Sequence, residues 1–196
     1  MIHTRYMASV RIERVGARVP GLTRQLIVPR FWDAVVTEEQ GVPGRIRLKV
    51  VYDPALRRMA ASSIAVEREG EGSEVTSLTL REVRVQSAVQ QSGLIAVKVA
   101  SGNAHVSAAE FLRAVRQDET PITKARSAAV IYQVAALINL PPLKTVADAL
   151  GVSQSTATRM VNQARAAGLI DELVQGVPAN QSRQPVKTGE QTSASR

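Results

Sequence analysis

Apolar and polar residues alternate in short segments over the first half of the chain, which is the pattern of β-strands with one buried face. The clearest segment is RIRLKVVY, in which Ile46, Leu48 and Val50 alternate with basic residues. Prolines and glycines, such as GVPG at 41–44, separate this segment from its neighbours. The sequence therefore predicts several short strands, each with an apolar face and a polar or cationic face.

Two segments of this region leave the choice between helix and strand open. Residues 55–69 contain a β-branched run without a clean helical stripe, which favours a strand. Residues 85–99 fit either a helix or, towards their end, a strand, with Gly93 as the break between them. Between the two segments, Thr76 is placed to cap a short helix.

Helical periods dominate the second half of the chain. Ser107, with a glutamate three residues later, has the spacing of a capping box that opens a helix. Pro121 suits a first helical turn, and an apolar stripe through Ala129 and Tyr132 continues to about Asn139. We expect this long helix to brace the shorter helices that follow it.

The segment 144–170 predicts two short helices joined by a tight turn. Thr145 is expected to cap the first helix, Gly151 to end it in a left-handed conformation, and Ser153 to cap the second. The apolar residues spaced three and four apart form the inward faces: Val146, Ala147, Leu150, Ala157, Met160, Val161 and Ala164. The small alanines allow the two helices to cross closely, at the steep angle of a helix-turn-helix unit.

Polar residues occupy the other face of the second helix, which we expect over 153–167. A helix of this kind can enter the major groove of DNA, where its side chains reach base edges. The residues expected to contact bases are Ser153, Gln154, Ser155, Thr158, Arg159 and Asn162. The residues expected to contact phosphates are Lys124, Arg126, Lys144, Thr145 and Arg165.

These residues stand in the pattern A-x-x-L-G-V-S-x-S-T-A-x-R, which resembles the helix-turn-helix of many bacterial transcription regulators. The residues that carry the pattern are Ala147, Leu150, Gly151, Val152, Ser153, Ser155, Thr156, Ala157 and Arg159. The longer run ending ARAAGLI is similar to regulators of high-GC actinobacteria and of their phages or mobile elements. The resemblance covers about residues 121–170 and implies sequence-specific binding to double-stranded DNA. Residues 1–104 resemble no family.

The net charge agrees with a polyanionic partner. The chain of 196 residues has a formal charge of +8, and residues 121–170 carry five basic side chains and one acidic. The absence of cysteine excludes a disulfide framework, a thiol nucleophile and a cysteine-ligated zinc finger. No apolar run approaches the roughly 20 residues of a membrane span, and the first residues lack a signal-peptide core. We therefore expect a cytoplasmic bacterial protein without a membrane partner.

The sequence offers no catalytic, cofactor or metal site. The two histidines, His3 and His105, are far apart and belong to no cluster with ligand spacing. Paired acids lie beside predicted turns without a further ligand group. Phe31 and Trp32 are interpreted as core anchors rather than as a platform for base stacking. We therefore expect a protein that is not an enzyme.

Together these patterns predict an α+β chain. A small, mainly antiparallel β region (1–104) is followed by an all-α helix-turn-helix domain (105–175) and a disordered tail (176–196). No second strand follows Ile170 that would complete a winged hairpin. A single helix-turn-helix reads few base pairs, so we expect a homodimer on a palindromic or repeated site. No effector ligand is identified.

Two alternatives remain open. The protein could be an accessory factor in replication, partition or excision of a mobile element, which would use the same DNA chemistry. It could instead be an interaction module whose basic N-terminal sheet binds a protein or RNA. Binding that survives deletion of residues 121–196 would favour the interaction module.

Overall fold

The computed structural model describes residues 8–20, 22, 25–115 and 121–170. Within them the chain forms seven strands and six helices. The strands are β1 (Ser9–Val15), β2 (Leu26–Ile27), β3 (Phe31–Thr37), β4 (Arg45–Asp53), β5 (Arg58–Glu67), β6 (Lys98–Ser101) and β7 (Ala104–Ser107). The helices are α1 (Ser77–Glu82), α2 (Val85–Ala96), α3 (Ala108–Val115), α4 (Pro121–Leu137), α5 (Pro142–Leu150) and α6 (Gln154–Ala166).

Four strands form an antiparallel sheet in the order β1-β3-β4-β5. On β4 the residues Ile46, Leu48 and Val50 are buried, whereas Arg47 and Lys49 are exposed, so the predicted alternation is confirmed. The helix α2 packs against all four strands of this sheet. The sheet therefore has one face in the core and one in solvent, the usual arrangement of an antiparallel sheet.

A second antiparallel sheet contains β2, β6 and β7, with β6 in the centre. The segment 85–99 forms both of the structures considered for it, because α2 ends at Ala96 and β6 begins at Lys98. Gly93 does not break the helix and lies inside α2. A Cβ atom on Gly93 would lie only 2.6 Å from Cγ2 of Ile138, so the glycine permits close contact between α2 and the chain after α4.

The two neighbouring aromatic residues of β3 have different environments. Trp32 is fully buried and donates its indole Nε1–H to Ser92 Oγ of α2 at 3.0 Å, so its role as a core anchor is confirmed. Phe31 is only half-buried, and Arg14 and Lys49 lie over its ring at 5.1 and 5.5 Å from the centroid. The prediction that Phe31 is a core anchor is wrong, because adjacent strand residues point to opposite faces of the sheet.

The predicted helix caps are present at the start of α1 and at the start of α3. Thr76 and Thr79 form a reciprocal capping box at the start of α1. At α3 the Ser107 amide donates to Glu110 Oε2 at 2.8 Å, and the Glu110 amide donates to Ser107 Oγ at 3.2 Å. The bonds from Ser107 lower the pKa of the Glu110 carboxyl, since they favour its charged form. Residues 58–67 form β5, as favoured.

The helix α4 lies between two apolar cores. Its residues on the side of the sheets are Val130, Val134 and Leu137, followed by Ile138 just after the helix. Its residues on the side of α5 and α6 are Ala128, Ala129 and Ile131. The predicted long helix and its bracing position are confirmed, although the helix ends at Leu137 rather than near Asn139.

The predicted fold class is wrong, because the region expected to be all-α is not purely helical. The domain boundary predicted after residue 104 falls inside β7, which pairs with β6 in the second sheet. In addition, α2 is part of the N-terminal core, where mainly strands were expected. The residues of β7 alternate apolar and polar, but the run has only four residues and leads directly into the capping box of α3, so the strand was missed. The predicted tail, 176–196, lies outside the described residues.

We expect Gly93→Ala to lower the free energy of unfolding by about 1–2 kcal/mol. The new methyl group overpacks against Ile138, at a cost of about 2–3 kcal/mol, while the better helix propensity of alanine returns about 1 kcal/mol. Urea unfolding of Gly93→Ala, Ile138→Ala and the double variant measures the coupling between the two positions. Gly70→Ala is the control, because nothing lies within 4 Å of a Cβ there. Additive effects of the two substitutions would contradict the predicted contact.

Candidate nucleic-acid interface

The turn between α5 and α6 has the geometry that the sequence predicts. Gly151 lies after α5 with φ 64° and ψ 35°, in the left-handed region, and a Cβ there would meet nothing within 4 Å. The glycine is therefore required by its backbone conformation and not by lack of space. Ser153 caps α6, since its Oγ accepts the Thr156 amide at 3.2 Å. The predicted roles of Gly151 and Ser153 are confirmed.

The start of α5 differs from the prediction. The helix begins at Pro142 with Pro141 as its N-cap residue, so the prediction that Thr145 caps it is wrong. A proline in the first turn starts a helix readily, because its missing amide would have no partner there, and Pro142 occupies this position. Thr145 lies inside α5, and its hydroxyl donates to the Pro141 carbonyl at 2.9 Å.

The three helices α4, α5 and α6 pack around a core made largely of alanine and valine. Its buried members are Val115, Ala128, Ala129, Ile131, Val146, Ala147, Ala149, Ala157, Val161, Ala164 and Ile170. Leu150 and Met160, which the sequence also placed inward, are half-buried at the margin of this core. The predicted inward faces of the two helices are therefore confirmed.

The exposed face of α6 lies opposite this core. At 100° per residue, Ser155, Arg159 and Asn162 fall on the side away from Ala157 and Val161. Five of the six residues predicted to contact bases are exposed: Ser153, Gln154, Ser155, Arg159 and Asn162. No hydrogen bond or ion pair ties the guanidinium of Arg159 to another residue in the described part of the chain. Its donors are therefore available to an external acceptor.

Thr158 is the one member of this set that is half-buried. Its hydroxyl donates to the Gln154 carbonyl at 2.9 Å, one helical turn back. The hydroxyl proton is committed to the backbone, which leaves the oxygen to act as an acceptor. Thr158 is thus a weaker candidate for a base contact than its exposed neighbours.

Arg165 is held against α4 rather than projecting freely. Its guanidinium lies 5.6 Å from the centroid of the Tyr132 ring and donates to Tyr132 Oη at 3.3 Å. A further donor of the same group reaches Asn162 Oδ1 at 3.2 Å. Arg165 therefore orients the amide of Asn162 on the exposed face. Tyr132 could not be predicted as a partner from the sequence, because it lies 33 positions before Arg165.

A second contact missed by the sequence analysis fixes the chain after α6. Gln133 of α4 is 1% exposed, and its Nε2 donates to the Leu169 carbonyl at 2.9 Å. The bond joins α4 to the residues that follow α6, 36 positions later. Tyr132 and Gln133 are adjacent on α4, so neighbouring side chains hold the last turn of α6 and the segment beyond it.

The remaining cations predicted to contact phosphates lie near the beginnings of helices. Lys124 and Arg126 are in the first turns of α4, where Arg126 is exposed and Lys124 half-buried. Lys144 is exposed in the first turn of α5, and its Nζ lies 2.9 Å from Asp148 Oδ2. An exposed pair at this spacing stabilises the helix by only about 0.3–0.5 kcal/mol, so Lys144 can leave it.

Two further kinds of feature, a metal-binding group and a membrane-spanning helix, are absent from the described residues. They hold no group of three or more histidine or acidic side chains placed to bind a metal ion. No helix among them is long and apolar enough to cross a membrane. His105 is exposed in β7 and lies apart from any such group.

We expect Ser153→Ala to lower the free energy of unfolding by about 1 kcal/mol, because the Thr156 amide loses its side-chain acceptor. Ser155→Ala is the matched control: the Ser155 hydroxyl contacts Ser153 Oγ at 2.9 Å but accepts no backbone amide, so we expect a change within about 0.5 kcal/mol. Thermal or urea unfolding of both variants gives the comparison. Equal losses in the two variants would contradict the assignment of Ser153 as the cap.

The candidate interface thus consists of a left-handed turn, a capped helix and an exposed polar face, and α4 packs against the opposite face of this helix. Comparison of the chain with protein-family models, with curated proteins and with solved structures gives no match. Any functional assignment therefore rests on the chemistry of these helices and on the sequence pattern that they carry.

Proposed function

We propose that this protein is a transcription regulator that binds double-stranded DNA sequence-specifically, with α6 in the major groove. The observation that carries the proposal is the exposed face of α6, which offers hydrogen-bonding side chains and arginine but no acid. Side chains of this kind can form hydrogen bonds with base edges in the major groove, and the absence of acidic groups avoids repulsion by the flanking phosphates. The left-handed turn at Gly151 and the cap at Ser153 support it, because they present the start of α6 as a helix-turn-helix does.

The proposed base contacts follow from the side-chain chemistry of this face. Arg159 presents two parallel donors that suit guanine O6 and N7, and Asn162 and Gln154 suit adenine N6 and N7. Ser155 and Thr158 are placed for single bonds to bases or phosphates. Each good bidentate pair contributes about 1–3 kcal/mol of discrimination, so two or three are sufficient for a short recognition sequence.

The proposed phosphate contacts set the position of α6 on the duplex. Lys124, Arg126 and Lys144 lie near the beginnings of α4 and α5, and Arg165 lies in the last turn of α6. Thr145 and Arg165 are weaker candidates, because the Thr145 hydroxyl donates to the Pro141 carbonyl and Arg165 is held by Tyr132 and Asn162. The cations release counterions from the DNA on binding, so their contribution falls as salt rises.

The basic face of the four-stranded sheet is less suitable as the principal interaction site. Arg47 contacts Glu13 at 2.9 Å and Glu67 at 2.7 Å, and Arg14 contacts Asp33 at 2.7 Å. The contacts with the two glutamates raise the pKa of Arg47, so its charge is stabilised by neighbours on its own sheet. This observation favours the DNA-binding proposal over an interaction module based on the sheet.

We expect in vitro selection of random duplexes by the full chain to yield one enriched motif. Arg159→Ala should lose preference at one or two positions of that motif and bind it about 5–100-fold more weakly, the equivalent of one bidentate contact. Arg81→Ala, on α1, removes the same kind of side chain far along the sequence and should leave the motif unchanged. If wild-type protein enriches no motif, or Arg159→Ala keeps motif and affinity, the proposal fails.

We expect substitutions at the pair formed by Lys144 and Asp148 to change DNA affinity in opposite directions. Lys144→Ala removes a phosphate contact, so it should weaken binding and reduce the slope of log affinity against log salt by about one. Asp148→Asn removes the one acidic side chain of residues 121–170 and releases Lys144, so binding should tighten, most strongly at low salt. Fluorescence anisotropy over a salt series measures both effects. Binding that is insensitive to salt would contradict the phosphate contacts.

A further inference from the structure

The strand β5 forms one edge of the four-stranded sheet, and its chemistry differs from that of the opposite edge. At the opposite edge, β1 carries three charged residues in seven, Arg11, Glu13 and Arg14. Charges of this kind protect a sheet edge from pairing with another strand. In β5 the charged residues stand only at its two ends, Arg58 and Glu67, and the eight residues between them are uncharged.

The middle of β5 is also exposed on both faces of the sheet. Residues 61–65 are all exposed, and Ile64 keeps 40% of its surface in solvent. Ile64 pairs with Leu48 and Ala61 pairs with Val50, so both are on the face that elsewhere forms the core. Although α2 and α4 contact β5, residues 61–65 stay exposed, so these helices leave this part of the core face incompletely covered. It therefore leaves apolar surface at an edge that still has backbone groups to pair.

A bulge in β5 determines which residues of this strand lie on the same face of the sheet. Ser62 is an extra residue in the pairing with β4, because Lys49 pairs with Ser63 and Val50 with Ala61. After this bulge the alternation of faces shifts by one residue. Arg58 and Glu67 consequently both lie on the outer face, whereas Ala61 and Ile64 both lie on the core face.

We propose that β5 pairs antiparallel with β5 of a second copy of this chain, which joins the two four-stranded sheets into one continuous eight-stranded sheet. In the register that places Arg58 opposite Glu67 of the second copy, Ala61 lies opposite Ile64. Opposite residues then share a face at each position that is paired with β4, as an antiparallel pair requires, and the bulge residue Ser62 lies opposite Ser63 at the centre. The arrangement has two-fold symmetry, so each contact occurs twice.

Charge and burial both favour a second copy as the occupant of this edge. The two ends of β5 have opposite charge, and antiparallel self-pairing brings each end against its complement. The two Ile64 side chains become diagonal neighbours on the core face and cover each other. A different partner would need a strand with complementary charges at its two ends, which a second copy of β5 already has.

The first test is the association of the full chain without DNA, measured by sedimentation equilibrium over a concentration series. The wild-type protein should be a dimer, and Arg58→Glu or Glu67→Arg should each raise the dissociation constant at least about tenfold, because two attractive pairs become repulsive. Two controls on β1 should dimerise as the wild type does: Arg11→Glu makes the charge change of Arg58→Glu, and Glu13→Arg makes that of Glu67→Arg and, like it, removes a partner of Arg47. A wild-type protein that stays monomeric at all accessible concentrations would overturn the proposal.

The second test mixes the two single variants. Arg58→Glu leaves acidic residues at both ends of β5, and Glu67→Arg leaves basic residues at both ends. Two copies of the same variant repel each other through like charges at the ends of β5. The mixture should instead form a heterodimer of near wild-type affinity, which native mass spectrometry detects. This test does not require a doubly substituted chain to fold. Failure of the mixture to associate, with both variants folded by circular dichroism, would contradict the proposed register.

Hydrogen exchange then locates the interface. The amides of residues 58–67 should become more protected as the concentration rises, and those of β1 should not. Dimerisation without added protection in β5 would place the interface elsewhere. All of these measurements are made without DNA. They can therefore refute the dimer while the DNA-binding proposal stands, and DNA-binding experiments can refute that proposal while the dimer stands.

Discussion

The position of α4 is the constraint on which the rest of this structure depends. Helices whose apolar residues are not confined to one stripe must be covered on more than one side. In α4, Val134 and Leu137 meet the core of the sheets, while Ala129 and Ile131 meet α5 and α6. Since a single helix completes both cores, the sheets and the helical unit stabilise one another through it, and a change in α4 affects both.

The parts of the structure that the sequence predicted are those determined by neighbouring residues. The alternation on β4, the left-handed turn at Gly151 and the cap at Ser153 each depend on a few consecutive side chains. The apolar stripe predicted for α4 gave less information about which of its residues are buried. Ala129 is fully buried and Tyr132 only half-buried, because burial on both sides of a helix removes the single periodic face that such a stripe describes.

The parts that sequence reasoning missed depend on contacts between distant segments. The four residues of β7 alternate apolar and polar, but so short a run does not identify a strand without the partner that β6 supplies. Likewise, Tyr132 is brought to Arg165 by the packing of α4 against α6. The exposed residues of the candidate interface could be predicted because α6 is amphipathic, whereas the residues that support it from α4 could not.

The core between α4, α5 and α6 is built mainly from alanine, including Ala128, Ala147, Ala157 and Ala164. Alanine has no side-chain rotamers, so at these positions the packing is set by how closely the backbones approach, and a longer side chain would push the helices apart. Substitution inside the unit is therefore costly, whereas the most exposed side chains of α6, such as Arg159, lie outside this core. A lineage carrying this fold can change those side chains one at a time without having to rebuild the scaffold beneath them.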